Sequence, residues 1–94
     1  MAQIMNAQTI VSLFRNVIDP AGTRHIEWKK PIGYYVPGGA GALPAFADYL
    51  NKSPQFRGYH LALDEADIQS VKSVEDMVRV IIGSFEEHGW TVIA

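Results

Sequence analysis

Apolar residues recur at helical spacing in three stretches of the chain, and four others read as short strands, two of them by alternating apolar and polar positions. The first helical stretch starts behind Asn6, a good N-cap residue, and runs to about Ile18. Ile10, Leu13, Phe14 and Val17 share one face there. Asp19-Pro20-Ala21-Gly22 stops the helix and turns the chain. Arg24 to Lys29 then alternates, with Ile26 and Trp28 against His25 and Glu27, as a half-buried strand does. Lys30-Pro31 interrupts the alternation. Ile32 to Val36, aromatic and β-branched, resumes it, so the pattern predicts a β-hairpin over residues 24–36. On such a hairpin Trp28, Tyr34 and Tyr35 lie close together, and the adjacent Tyr34 and Tyr35 point to opposite faces.

Pro37 to Gly41 reads as a loop with three glycines, and Pro44 stands where a helix begins. Phe46, Tyr49 and Leu50 fall on one face of that helix. It ends at Asn51-Lys52-Ser53-Pro54, since a proline disfavours helical geometry in the residue before it. Tyr59, Leu61 and Leu63 alternate with His60 and Ala62, which predicts a third strand. Residues 64–70 suit a turn or one helical turn. The strongest signal follows. Ser73 is an N-cap, with Asp76 placed for a capping box. Val74, Met77, Val78, Ile81 and Phe85 form an apolar stripe, widened by Ile82. His88 suits the last turn and Gly89 the left-handed position beyond it. Trp90 to Ile93 reads as a final strand. The predicted order is α-β-β-α-β-α-β. The fold class it implies is α+β, a small two-layer sandwich of about four short strands with helices packed on one face. Strands 59–63 and 90–93 flank the long helix, so a parallel pairing between them would cross over right-handed.

Composition bounds this picture. A chain of 94 residues suits a single globular domain spanning 1–94. Its 48% apolar and 19% charged content is that of a folded chain rather than a disordered one. Absence of cysteine excludes disulfides, thiolate metal sites and cysteine nucleophiles, and fits a cytoplasmic protein. The first residues show no signal-peptide pattern, and no apolar run approaches the roughly 20 residues that span a bilayer.

Charge is uneven. Arg15, Arg24, Lys29 and Lys30 outweigh Asp19 and Glu27 in residues 15–30. Between 64 and 88, Lys72 and Arg79 face Asp64, Glu65, Asp67, Glu75, Asp76, Glu86 and Glu87. Such an acidic segment disfavours nucleic acid, whose phosphates supply most of that affinity through basic side chains. Its plain reading is a solvated face, and its sharper one a surface for a basic partner.

Candidate chemistry is sparse. Gly39-Ala40-Gly41 follows a predicted strand, and Asp64 ends the next, which resembles a dinucleotide-binding fingerprint. Pro44 stands where the third glycine belongs, and no lysine follows as in a P-loop, so a plain turn is the simpler reading. His25, His60 and His88 have no pair at metal-binding helical spacing. His25, Glu27 and His60 could meet across a sheet, with Asp64 in range, and histidine beside carboxylate suits acid–base work. Solvent-facing strand positions explain them equally. No Gly-x-Ser-x-Gly elbow occurs.

One family likeness arises at Val71-Lys72-Ser73-Val74-Glu75-Asp76-Met77-Val78-Arg79-Val80-Ile81. This stretch is similar to the last helix of acyl carrier proteins, and Tyr59 to Leu63 to the segment before it. That family is all-helical and carries a prosthetic arm on a serine in an Asp-Ser-Leu motif. The corresponding place here, near Pro44-Ala45-Phe46, has no serine, and Ser53 precedes a proline. The resemblance therefore implies no pantetheine carrier, and no cofactor is expected.

The sequence thus favours a small soluble protein-interaction module, an inhibitor, regulator or subunit, acting through the aromatic hairpin and the acidic helix. Its candidate surface is Trp28, Tyr34, Glu75, Arg79 and Glu86. The alternative is a small-molecule or nucleotide-binding domain, or a small enzyme, using the glycine loop. Its candidate residues are Gly38, Gly39, Gly41, Tyr35, His25 and His60. An acyl-carrier-like domain lacking the modified serine is a further alternative. No catalytic set and no metal site converge. A protein partner is expected and a membrane is not. A homo-oligomer is plausible because the strand 90–93 could lie on an open sheet edge.

Overall fold

The computed structural model describes residues 3–19, 21–22, 26–36, 38–59 and 61–93. Three of the helices form where the helical periodicity places them. Helix α1 (Ala7–Ile18) is capped by Asn6, whose Oδ1 accepts the Gln8 N–H at 2.8 Å. It buries Ile10, Phe14 and Val17. Helix α2 (Leu43–Lys52) buries Leu43, Phe46, Ala47 and Leu50, with Pro44 in its first turn, where a missing N–H costs nothing. Two single turns follow, α3 (Pro54–Arg57) and α4 (Glu65–Ile68). Helix α5 (Val74–Glu87) buries Val74, Met77, Val78, Ile81, Ser84 and Phe85, and Gly89 past its end takes φ +91°.

The expected sandwich of about four strands is overturned. Among the described residues there are five α-helices and two strands, β1 (Gln3–Asn6) and β2 (Trp90–Ile93). They pair in parallel, Gln3 opposite Trp90 and Asn6 opposite Ile93. Only β2 was foreseen, and β1 has no counterpart in the sequence reading. The domain is helical, with its two described ends joined by a short ribbon.

The lost strands have their backbone groups engaged elsewhere. Trp28 and Lys30 give their carbonyls to the N–H groups of Glu75 and Val74, at 3.0 and 3.1 Å. Ile32 N–H donates to the Lys72 carbonyl at 2.9 Å. The segment expected to be a hairpin is thus a strap across the start of α5. It supplies acceptors for the donors that a helix N-terminus always leaves over. Residues 32–34 themselves wind into a 3₁₀ turn opened by Pro31 at φ −56°. Arg24 and His25 lie outside the described residues. The third expected strand is irregular because Leu63 pairs with a side chain instead. Its N–H donates to Asn51 Oδ1 at 2.8 Å, and its carbonyl accepts from Asn51 Nδ2 at 2.9 Å. Among the described residues β2 pairs with β1, and the expected parallel crossover from 59–63 is not formed.

Core packing joins α1 and α2 through Phe14 and Phe46, edge to face with ring centroids 6.4 Å apart. At the other end Phe85 touches Phe56, Tyr59 and Trp90, with centroids 5.6 to 6.2 Å from its own.

The cap of α5 carries a pH dependence. Asp76 Oδ2 accepts N–H bonds from Ser73 and Lys72, each at 3.1 Å, while Ser73 Oγ accepts from Asp76 N–H at 3.2 Å. The bonds from Ser73 and then Lys72 hold the Asp76 carboxyl below its usual range. A depressed folded value contributes stability that is present above the unfolded value and lost as pH falls through the folded one. Urea unfolding across the acid range is therefore expected to fall less steeply in Asp76→Ala than in the parent chain.

Candidate functional site

The last turn of α1 and the first turns of α2 diverge around an open apolar cleft. Val17 and Ile18 line it from α1, Ala42, Ala45, Phe46 and Tyr49 from the α2 side, and Tyr35 from the intervening loop. Its volume is about 340 Å³. Residues 42, 45, 46 and 49 follow helical spacing, and the two alanines leave the space that the aromatic rings border. Phe46 and Tyr49 stack with centroids 6.4 Å apart and planes inclined by 20°.

Tyr35 is a fixed wall, buried, with its hydroxyl accepting the Glu27 N–H at 2.9 Å. Its neighbour Tyr34 packs edge to face on it at 5.1 Å. Tyr34 and Tyr49 are 63% and 58% exposed, two of the four large apolar side chains left open to solvent among the described residues. Lys30 Nζ lies 4.4 Å from the centre of the Tyr34 ring, a cation–π contact.

The glycine loop runs into the cleft wall, with the Gly39 N–H donated to the Val36 carbonyl at 2.9 Å and the Ala42 N–H to the Gly39 carbonyl at 3.0 Å. Gly38 has φ +88°, and a Cβ there would stand 3.0 Å from the Ala42 Cβ. Glycine at 38 lets the loop fold down onto a residue of the cleft wall. Gly39 has φ +77°, and a Cβ added at Gly41 would meet no atom within 4 Å. His25 and His60 lie outside the described residues. The other members of that expected cluster have separate tasks. Glu27 pairs with Lys30 at 3.4 Å, and Asp64 caps α4 in a reciprocal box with Asp67.

Three members of the expected interaction surface do meet. Trp28, Glu75 and Arg79 line a second groove of about 290 Å³ with Gln8, Val11 and Val78. Glu75 is held by Arg79 at 2.8 Å and by Lys29 at 3.2 Å. Tyr34 belongs instead to the cleft side, through its contact with Tyr35. Glu86 stands apart in the last turn of α5, exposed beside Glu87. The acidic segment is therefore largely spent on structure. Asp64, Asp67 and Asp76 cap helices and Glu75 is paired. His88 Nδ1 donates to the Ser84 carbonyl at 2.7 Å, since a carbonyl can only accept.

Sequence reasoning did not single out Val17, Ile18, Ala42, Ala45, Phe46 and Tyr49 as a site. The signal available was the stripe 42, 45, 46, 49, which reads as ordinary core until the small residues are seen to leave a gap. Comparison of the chain with known protein families, with curated proteins and with solved structures finds no match. No helix among the described residues is long and apolar enough to cross a membrane.

Proposed function

We propose that this protein is a small binding module that seats an apolar side chain of a protein partner in the cleft between α1 and α2. The observation that carries this reading is an uncharged cleft wall, with tyrosines as its polar residues, beside the exposed rings of Tyr34 and Tyr49. A freely diffusing metabolite carries charged or strongly polar groups, and this wall offers little to pair with them. An apolar side chain keeps its polar backbone at the open rim and buries only what the cleft accepts. Tyrosine suits such a rim, because it offers large contact area at low entropic cost. Among the described residues the lining carries no carboxylate, histidine or lysine for acid–base chemistry, which favours binding over catalysis. A chain free of cysteine suits a cytoplasmic setting.

The test is an amide-resonance titration with blocked single amino acids, the N-acetyl amides of leucine, phenylalanine and tryptophan. At about −0.3 kcal/mol per heavy atom, a probe of about 15 heavy atoms binds with roughly −4.5 kcal/mol, a Kd near 1 mM. Shifts are expected at Ala42, Ala45 and Tyr49. Ala45→Trp, made at an exposed helical position, fills the cleft from its own wall and should abolish them with the fold intact. Shifts that survive this substitution would place binding elsewhere. Equal or stronger binding of a short fatty acid would turn the reading toward an acyl chain.

A further inference from the structure

We infer that the groove around Trp28 takes an acidic segment of a protein partner, with an apolar side chain of that segment on the groove floor and its carboxylates on Lys29 and Arg79. The site is independent of the cleft between α1 and α2. Trp28 is half-buried and lines two depressions. One is the groove of about 290 Å³ shared with Val11, Val78 and Arg79, and the other is a trough of about 730 Å³ along the strap from Ile26 to Pro31. Glu75 belongs to both, so the two adjoin across the first turn of α5. Val11, Trp28 and Val78 pack on the core from this side and give the middle an apolar floor. The Trp28 indole N–H meets no acceptor among the described residues, which leaves it as a donor for a partner's carbonyl.

Charge selects the occupant. Glu75 gives one oxygen to Arg79 at 2.8 Å and the other to Lys29 at 3.2 Å. That carboxylate is thereby neutralised, and it holds at the rim two cations whose side chains are 71% and 86% exposed. Both keep N–H donors that no described group uses. Lys30 holds Glu27 at the far end of the trough. Arg15 lies one turn beyond Val11 on the same face of α1, exposed and paired with no carboxylate among the described residues. Four cations thus stand around two carboxylates, a positive region on a chain whose net charge is −2. A negative segment is drawn here and repelled by the acidic remainder, which decides where it lands. Exposed ion pairs are worth little singly, so the apolar floor supplies the rest of the affinity. That requirement favours a peptide over nucleic acid. A phosphate backbone carries a charge at every link and has no aliphatic side chain to lay on Val11 and Val78.

The test is an amide-resonance titration with the blocked peptide acetyl-Glu-Glu-Leu-Glu-Glu-amide. Its glutamine counterpart, acetyl-Gln-Gln-Leu-Gln-Gln-amide, and a short oligodeoxythymidylate are titrated beside it. The acidic peptide should shift the amides of Val11, Trp28, Val78 and Arg79 and the Trp28 indole N–H. Lys29→Glu and Arg79→Glu should each weaken it about three- to tenfold, since each reversal turns an exposed attraction into a repulsion. Lys52→Glu, which reverses an exposed lysine on α2, should leave it unchanged. Far-UV circular dichroism checks that all three variants fold. A peptide that causes no shifts at millimolar concentration overturns the proposal, and so does one that shifts Ala42, Ala45 and Tyr49 instead. Equal binding of the glutamine peptide, or binding indifferent to both Lys29→Glu and Arg79→Glu, removes the role of charge and overturns it too. Tighter binding of the oligonucleotide at the same residues would turn the site toward nucleic acid and sink the acidic partner.

Discussion

Phe85→Ala is expected to remove about 3–5 kcal/mol of stability, the usual loss when a buried phenylalanine leaves a cavity. Phe85 is 1% exposed and is the ring on which Phe56, Tyr59 and Trp90 converge. Deleting it strips three aromatic contacts, each worth about 0.5–1.5 kcal/mol beyond simple burial. It also cuts the link from α5 to α3 and β2. A chain of this size holds roughly 5–10 kcal/mol in total, so the variant should be partly unfolded at moderate temperature. Urea unfolding followed by tryptophan fluorescence reads this directly, because Trp90 belongs to the same cluster. A loss below about 1 kcal/mol would mean that the cluster packs otherwise than described.

The second large effect is at Asn51. Its side chain makes both hydrogen bonds that a neighbouring strand would make to Leu63. Asn51→Ala leaves the Leu63 N–H and carbonyl without these partners. Each unsatisfied group costs about 1–3 kcal/mol when fully buried, and water reaches this partly buried pair, so about 2 kcal/mol overall is expected. The local signature is sharper than the global one. The Leu63 amide should exchange with solvent much faster, and the segment holding the buried Leu61 and Leu63 should become sensitive to protease. Asn51→Asp separates donor from acceptor. At neutral pH it keeps the bond from Leu63 N–H but turns a carboxylate toward the carbonyl. On acidification the protonated carboxyl can donate again, so this variant should regain stability relative to Asn51→Ala as pH falls.

Long-period signals in the sequence were readable, and of the short ones only Trp90–Ile93 was. Helices α1 and α5 combine an apolar stripe over three turns or more with a side-chain cap at Asn6 or Ser73, so local and tertiary preferences agree. The expected strands at 24–29, 32–36 and 59–63 rest on five or six residues each, by alternation or by β-branched and aromatic content, and a strand needs a partner. In the described part of these segments the partners are the α5 N-terminus and the Asn51 side chain, which alternation does not encode. Conversely, Asn6 reads as a helix cap, which it is, and gives no hint that it also ends β1. Tyr34 and Tyr35 were expected on opposite faces of a strand. They are exposed and buried respectively, yet on and beside a 3₁₀ turn, because adjacent side chains diverge in either geometry. The cleft was hidden for a different reason. Alanine at 42 and 45 has no signature of its own, and its effect appears only once Val17, Ile18 and Tyr35 stand opposite.

The parallel pairing of β1 with β2 bears on the order in which the chain assembles. The first described strand has its only strand partner in the last, so the ribbon closes a loop around nearly every other residue. Such a closure pays its entropy in full before any of its bonds form, and long-range contacts slow folding. On a ribosome, α1 to α4 can compact while Gln3–Asn6 waits with its backbone unpaired until Trp90–Ile93 has left the exit tunnel. The ribbon is then a clasp fastened after the helices are in place, and until it closes Gln3–Asn6 is an uncharged strand without its partner.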